Sequence, residues 1–188
     1  MLVKTFGAAV QGIDAILITV EVAVDRGSGF VMVGLPDTAV KESGDRVQSA
    51  LKQSGASFPR NHVVVNMAPA DVRKEGAAYD LPIAVGIMAA DGQIPADSLS
   101  RLVIMGELSL DGSVLPIRGA LPMAIHARQL GYEGMIVPQA NATEAAVVNN
   151  LDVYGVENLE QVIQFLRGEM MLQPTVINTR EEFARASA

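Results

Sequence analysis

The sequence predicts an α+β (mixed α/β) domain, a sheet with helices packed mainly on one face. Strand patterns and hairpin turns come first along the chain, and strands alternate with helices later, as is typical of this class. The 188 residues are 49% hydrophobic, which is enough for one sizeable core. Aromatic residues make up only 4% of the chain, so aliphatic residues and methionine must fill that core.

Runs of β-branched residues predict the strands, and turn residues separate them. Residues 25–29 contain two glycines and have the length of a hairpin loop, so we expect the strands on either side to pair. Asp111-Gly112 is a second hairpin signal. The predicted strands are residues 3–10, 15–24, 30–33, 62–66, 102–108, 114–115, 134–137 and 153–156.

Helical periodicity and capping residues predict the helices. Asp37 is the expected N-cap of one helix that runs to about Ser54 and ends at Gly55. Asn141 is the expected cap of a short alanine-rich helix. The other predicted helices are residues 80–90, 119–130 and 159–166. Periodicity is lost after Gly168, so residues 1–168 are predicted to form the domain and residues 169–188 a linker.

Composition excludes several classes of function. The chain has no cysteine, which excludes disulfides, thiolate catalysis and cysteine-based metal sites and suits a cytoplasmic protein. Its longest apolar run, residues 81–90, is far shorter than the roughly 20 residues of a membrane span, so we expect no membrane association. The net charge of −7 argues against a domain that coats DNA. Residues 41–74 carry six basic and three acidic groups, for +3, which indicates either a solvated surface or a local contact.

Four long phrases carry a resemblance to a known family. They are GLPDTAVKES at 34–43, NMAPADVRKEG at 66–76, YDLPIA at 79–84 and GELSLDG at 106–112. Together they resemble the magnesium-chelatase-like (ComM/YifB) family of AAA+ ATPases over residues 5–167. The resemblance implies a Lon-protease-like N-terminal domain, of the ribosomal-protein second-domain-like superfold, followed by an ATPase module. Gly44-Asp45 departs from the family pattern, in which larger charged residues are expected.

The resemblance also implies a role beside a motor that this sequence does not contain. Family members resemble a ring-forming, hexameric helicase that promotes branch migration during DNA uptake. The implied partners are the chain's own ATPase module, neighbouring subunits, and single-stranded or branched DNA. No Gly-x4-Gly-Lys-Ser/Thr phosphate loop occurs, so we expect no cofactor in this segment and assign ATP and Mg²⁺ to the motor.

The likeness to Lon raises the alternative of a serine protease. Lon-type enzymes pair a serine nucleophile with a lysine base, and the resemblance places Ala78 and Leu121 at those two positions. Neither side chain can perform the chemistry, and the nearby Arg118 stays protonated. The sequence therefore disfavours peptidase activity and predicts no catalytic residue.

Other constellations are weaker. Acidic residues that could bind a metal, Asp71, Glu75, Asp80, Glu107 and Asp111, have no spacing of a known cation site, so no metal is predicted. His62 and His126 are interpreted as structural, since no third ligand accompanies them. The glycines at 27, 29, 106 and 112 are interpreted as turn residues rather than a phosphate loop.

The remaining hypothesis concerns a set of charged residues. Arg73 and Lys74 follow a buried strand in a polar loop beside the lost nucleophile, so they could contact a neighbouring subunit, a domain or DNA. The alternative is an internal salt bridge or a helix cap. The candidate contacts are Lys41, Arg46, Arg73, Lys74, Asp80, Glu107 and Arg118. A stand-alone nucleic-acid-binding module remains a further alternative to an assembly domain.

Overall fold

A seven-stranded sheet organises residues 1–177, the part of the chain that the computed structural model describes. The strands lie in the order β3-β4-β2-β1-β5-β8-β9, with β1–β2 and β2–β4 antiparallel and the other neighbours parallel. A small antiparallel hairpin, β6–β7, lies apart from this sheet. The strands are β1 Leu2–Gln11, β2 Asp14–Asp25, β3 Phe30–Val33, β4 His62–Ala68, β5 Leu102–Ile104, β6 Glu107–Leu108, β7 Val114–Leu115, β8 Gly134–Pro138 and β9 Asp152–Val156.

Six α-helices are present among the described residues, and a single 3-10 turn precedes β5. They are α1 Thr38–Lys41, α2 Ser43–Gln53, α3 Asp80–Ala90, α4 Ala120–Gln129, α5 Gln139–Ala145 and α6 Leu159–Leu166. Every residue of α3 is buried, which explains why its sequence shows no polar face. None of these helices has the length and apolar character needed to cross a membrane.

The central helix α3 packs on one face of the antiparallel part of the sheet. The Thr5 hydroxyl donates to the carbonyl of Pro82 at 2.9 Å, and Gly86 lies so close to Val22 that a Cβ there would approach its Cγ2 to 2.7 Å. Phe6 points to the opposite face, because side chains alternate along a strand, and its ring lies 5.6 Å from that of Tyr132 just after α4. Helices therefore occur on both sides of the sheet.

The two halves of the sheet differ in how they are covered. All residues of β8 are buried, so the parallel half is enclosed on both faces, as parallel sheets usually are. In β2, by contrast, buried residues alternate with partly exposed ones, which is the pattern of a strand with one solvated face. The structure confirms the predicted α+β class, although the antiparallel half has α3 on one face and α4 against β1 and β2 on the other.

The predicted hairpin across residues 25–29 is wrong. Strand β4 lies between β2 and β3, so β3 pairs in parallel with β4 at the edge of the sheet. The hairpin is formed by β1 and β2, around Gly12 with φ +64°. A glycine-containing loop indicates that the chain turns, but it does not determine which strand comes to lie alongside.

Three other predictions need correction. The single helix predicted over 37–54 is broken at Glu42, although Asp37 does cap its first part. The strand predicted over 102–108 is interrupted at Gly106, whose N–H donates to Ala78 and whose carbonyl accepts from Leu81. Asn141 lies inside α5 and does not cap it; its side chain bonds both backbone groups of Ile117 at 2.9 Å.

Segments near the end of the described chain continue past α6. Gly168, with φ +75°, ends the helical segment, and the Thr175 N–H donates to the Val153 carbonyl at 2.8 Å. Residues 169–177 thus include a contact with β9, while residues 178–188 of the predicted linker lie outside the described residues.

Candidate functional site

A cleft of about 690 Å³ opens at the C-terminal end of β1. Its walls come from the end of β1, the loop before α3, the β5–β6 junction and the segment before α4. Ala78 lines this cleft, which is therefore the place where the Lon resemblance locates a nucleophile. Leu121 does not line it and packs against the hydrophobic core instead.

The lining of the cleft, within the described residues, contains no serine, threonine, cysteine, histidine or lysine. Its one hydroxyl belongs to Tyr79, a residue only 4% exposed. Burial, with the negative charges of Asp37 and Glu75, raises the pKa of Tyr79 to about 12, so its phenol keeps its proton at neutral pH. The cleft thus lacks both an activated nucleophile and a general base of the kind Lon-type chemistry requires.

Three of the predicted contact residues, Arg73, Glu107 and Arg118, do meet at this cleft. Arg73 is exposed and forms a solvent-facing ion pair with Glu75, with Nε and Oε1 3.4 Å apart. Arg118 is exposed and Glu107 is half-buried. The cleft therefore presents charges of both signs to solvent, with none committed to a buried pair.

Asp37 holds the loop that forms one wall of the cleft. Its Oδ1 accepts from the N–H of Val40 at 2.8 Å, and its Oδ2 accepts from the N–H of Gly76 at 3.1 Å. Its own N–H donates to the carbonyl of Lys74 at 2.9 Å. The sequence predicted the cap on α1 but not the second contact, because nothing local relates Asp37 to a loop 39 residues away.

Lys74 is not available for a partner contact in this structure, which corrects its interpretation as part of an open polar loop. The residue is fully buried, and its ammonium donates to the carbonyl of Gly34 at 2.7 Å and to that of Pro69. Burial lowers the pKa of Lys74, and the charge of Asp71 partly opposes this. The side chain thereby links its own segment to the segments that contain Gly34 and Pro69, and its role in this structure is to hold them together.

Arg46 and Asp80 meet away from solvent, which likewise corrects their interpretation as partner contacts. Asp80 is fully buried at the first turn of α3 and accepts four hydrogen bonds, two of them from Arg46 at 2.7 and 3.0 Å. The Ser43 hydroxyl and the Leu108 N–H supply the others, at 2.7 and 3.1 Å. The hydrogen bond to Asp80 raises the pKa of Arg46 against the effect of burial. The internal salt bridge named as an alternative is the arrangement found for Asp80.

Lys41, the remaining candidate, lies apart from the cleft. It is exposed on α1 and borders a small groove with Phe30 and Asp45. Sequence reasoning missed Ser43, whose spacing of three from Arg46 on α2 was the available signal that both could face one acceptor.

Metal ligation has no support among residues 1–177, where no group of three or more histidine, cysteine or acidic side chains gathers. Both carboxylate oxygens of Asp80 accept the hydrogen bonds just described. Asp111 accepts hydrogen bonds from Ser109 and Ser113 within the β6–β7 turn. His62 begins β4, where its Nδ1 lies 3.0 Å from the carbonyl of Ser28, and His126 lies within α4.

Comparison with known proteins defines the class of protein that this fold and cleft represent. Residues 20–141 match the family described as subunit ChlI of Mg-chelatase. This range covers more than half of the chain and includes the cap of α1, the buried ion pair and the wall of the cleft. The chain belongs to this magnesium-chelatase-like family.

Three individual relatives show how similar the chain is to known proteins. Competence protein ComM of Haemophilus influenzae is 41% identical over 168 residues, which cover 89% of this chain and 33% of the relative. The YifB protein of Escherichia coli is 40% identical over 166 residues, covering 88% of this chain and 33% of the relative. Lon protease 2 of Thermus thermophilus is 26% identical over 157 residues, 77% of this chain and 19% of the protease. The chain thus spans about a third of the length of the ComM and YifB relatives.

Proposed function

We propose that this chain is the non-catalytic N-terminal domain of a ComM-like, magnesium-chelatase-like AAA+ ATPase, and that it serves ring assembly and coupling to the motor. One observation carries the proposal: the cleft with Ala78 at the position of the Lon nucleophile has no hydroxyl–lysine pair in its lining. The sequence is about 40% identical to those of ComM and YifB, while the groups needed for peptide hydrolysis are absent from the cleft.

The exposed charges around the cleft favour contact with another protein surface. Arg73, Glu75, Glu107 and Arg118 mix both signs, and such a mixture fits a polar interdomain or intersubunit contact better than a phosphate backbone. The partners would be the chain's own ATPase module and neighbouring subunits of a hexameric ring. ATP and Mg²⁺ would be bound by that module, and the absence of cysteine suits a cytoplasmic setting.

Contact with single-stranded or branched DNA is the second candidate, supported by the net +3 charge of residues 41–74. Two of the six cations in that segment, Arg46 and Lys74, are occupied by internal partners, which weakens this support. The exposed cations Lys41, Lys52, Arg60 and Arg73 remain. DNA contact is therefore kept as an alternative to assembly, with its own test.

The assembly role is tested in the full-length protein. Replacing Arg73 and Arg118 together by glutamate should reduce both ATPase activity and the mass of the assembled ring, measured by sedimentation velocity. The single variants Arg73→Glu and Arg118→Glu are measured as well. Their control is Lys52→Glu, the same reversal of charge at an exposed position of α2. If neither the ring nor the ATPase activity responds to the double reversal, the cleft is not the assembly contact.

Two assays address the rival functions. Incubation with casein and fluorogenic peptides should yield no hydrolysis, and turnover above background would contradict the non-catalytic assignment. Fluorescence anisotropy with labelled single-stranded and forked DNA at about 50 and 200 mM salt tests DNA contact, because phosphate contacts weaken steeply with salt. Salt-sensitive binding that is lost in Arg73→Ala would favour the DNA role over assembly.

A further inference from the structure

Strand β1 has no strand partner along part of the edge that borders the cleft. It pairs with β2 over its whole length, but with β5 only at Phe6. Beyond that point the chain after β5 turns away from β1. The Gly106 N–H, which would continue the parallel ladder to the Ala8 carbonyl, donates to the Ala78 carbonyl at 2.9 Å instead. Residues 8–11 of β1 therefore line the cleft rather than a neighbouring strand.

The β1–β2 register fixes which backbone groups point into the cleft. Met1 exchanges two hydrogen bonds with Val24, at 2.9 and 3.3 Å, and such pairs recur at every second residue of an antiparallel ladder. The even-numbered residues of β1 therefore direct their N–H and C=O groups away from β2, and the Ala8 N–H accordingly points to Sδ of Met105 at 3.4 Å. The Ala8 carbonyl and both backbone groups of Val10 face the cleft. Within the described chain no loop or helix bonds these three groups, and no strand pairs with them on that side.

The cleft has one wall on each face of β1. The start of α4 lies over the face to which Val10 points, since a Cβ at Gly119 would come within 2.3 Å of Val10 Cγ2. The loop before α3 lies over the other face, because α3 packs there. A strand added between these walls would direct successive side chains to alternate walls. Both walls offer small or apolar side chains, which are Ala77 and Ala78 on the α3 side and Ile117 and Met123 on the α4 side.

We propose that the cleft binds an extended segment of another polypeptide chain, which adds to β1 as a strand. Unmatched backbone groups on alternate residues of a strand edge are satisfied by the backbone of a neighbouring strand, and exposed sheet edges bind extended peptides in this way. The inference rests on the proposed function, because it identifies the kind of contact that is made at the cleft. A segment bound there stays uncut, since the lining lacks a nucleophile paired with a base.

Arg118 specifies an acidic residue in the bound segment. It is exposed at the cleft and forms no ion pair within residues 1–177, whereas Arg73 is paired with Glu75. Its backbone position is fixed, because the Asn141 side chain holds both backbone groups of the preceding residue, Ile117, at 2.9 Å. A carboxylate on the bound segment would supply the counter-charge and would distinguish one segment from another.

The course of the chain favours a segment of another polypeptide. Strands β1, β5, β8 and β9 run in the same direction, so the cleft at the C-terminal end of β1 lies at the opposite end of the sheet from the start of β9. The described chain comes to its end near that start, where the Thr175 N–H donates to the carbonyl of Val153. A continuation of the same chain must travel the length of the sheet and across three strand spacings to reach the cleft. A segment of another chain has no such constraint.

Fluorescence anisotropy of short labelled peptides with the 188-residue chain tests the site. The probes are peptides rich in valine and threonine that are identical except for one central glutamate, glutamine or lysine. The glutamate peptide should bind about threefold more tightly than the glutamine peptide. N-methylation of alternate amides tests the backbone pairing, because only one of the two alternate sets faces β1. Methylation of that set should raise the dissociation constant at least about fivefold, and methylation of the other set should not.

Two variants of the chain test the same contacts from the other side. Val10→Pro removes an N–H that faces the cleft without removing a bond to β2, so it should weaken binding about fivefold. Arg118→Glu should reverse the preference from the glutamate to the lysine peptide, a result that loss of folding cannot produce. Lys52→Glu, at an exposed position of α2, should leave both affinities unchanged, and circular dichroism checks that each variant is folded.

Dilution of the full-length protein distinguishes a segment of another chain from one of the same chain. If another chain fills the cleft, dilution empties it, and the dilute full-length protein should bind the glutamate peptide as tightly as the 188-residue chain does. Exclusion of the peptide at every dilution assigns the occupant to the same chain and overturns the proposal. So does an absence of saturable binding, an equal effect of both methylated sets, or an unchanged preference in Arg118→Glu. None of these results alters the non-catalytic assignment or the ring, which the hydrolysis and sedimentation assays decide.

Discussion

The guanidinium of Arg46 and the carboxylate of Asp80 form a two-point ion pair that joins α2 to α3, with Nε–Oδ2 and Nη2–Oδ1 distances of 2.7 and 3.0 Å. Arg46 also donates to the carbonyl of Ala39 at 2.6 Å, so one side chain links α1, α2 and α3. The Leu108 N–H adds the β6–β7 hairpin to the same carboxylate. The pair therefore fixes how the elements around the cleft are arranged.

Asp80→Asn should lower the free energy of unfolding by about 3 kcal/mol, because it leaves the mostly buried Arg46 cation without its counter-charge. Urea denaturation measures the effect. Arg101→Ala is the matched control: its ion pair with Glu133 is exposed on both sides and should contribute no more than about 1 kcal/mol. Equal losses in the two variants would show that burial does not distinguish these pairs.

Gly86→Ala should destabilise the protein by about 1–2 kcal/mol, although alanine is ordinarily the better helix residue. The reason is that a Cβ at this position would lie 2.7 Å from Val22 Cγ2, at the crossing of α3 and β2. Val22→Ala should recover part of the loss when it is combined with Gly86→Ala. A double-mutant cycle by thermal or urea unfolding measures this coupling; additive effects would contradict the steric explanation.

Tyr79 should make stability fall at alkaline pH. Its pKa is about 12 in the folded protein, against an ordinary value of 10.0, so above pH 10 the unfolded chain releases a proton that the folded one keeps. Stability is therefore fully present below pH 10 and is lost between pH 10 and 12, by about 1.4 kcal/mol at pH 11. Urea unfolding at pH 8 and 11 should show a larger loss in the wild type than in Tyr79→Phe, where Tyr132 and Tyr154, whose pKa values burial also raises, still contribute. Parallel losses in both would contradict the raised pKa.

The sequence predicted most elements because their signals are local. The bounds of α3 and α6 match the predicted ranges 80–90 and 159–166, since α3 is an apolar run that begins with Asp80 and Pro82, and α6 has Asn158 as its cap and a clear apolar face. The pairing of β3 was not predictable in this way. Its partner β4 begins 29 residues after β3 ends, and turn residues between β2 and β3 carry no information about that distant strand.

For the candidate site, the sequence predicted which position lacks the nucleophile, but not which charged side chains are exposed. Ala78 could be placed from a motif, and the structure puts it in the cleft. The same reasoning grouped Lys74 and Asp80 with Arg73 as surface contacts, because adjacent charged residues in a sequence look equally exposed. Only the fold shows that Lys74 bonds carbonyls of two other loop segments and that Asp80 meets a cation 34 residues away.

Substitutions should therefore show that Arg73 is a surface residue and that Lys74 is a structural one. Lys74→Met should cost about 1–3 kcal/mol of unfolding free energy, because the carbonyls of Gly34 and Pro69 lose a buried donor. Arg73→Ala should change stability by less than about 0.5 kcal/mol, since its ion pair with Glu75 is exposed. Urea unfolding measures both effects. If the full-length protein forms the proposed ring, Arg73→Glu should weaken its assembly without loss of domain stability, whereas Lys74→Met should reduce stability first. If Lys74→Met weakens assembly in a domain of unchanged stability, its ammonium leaves the buried position to contact a partner, and the structural interpretation of Lys74 fails.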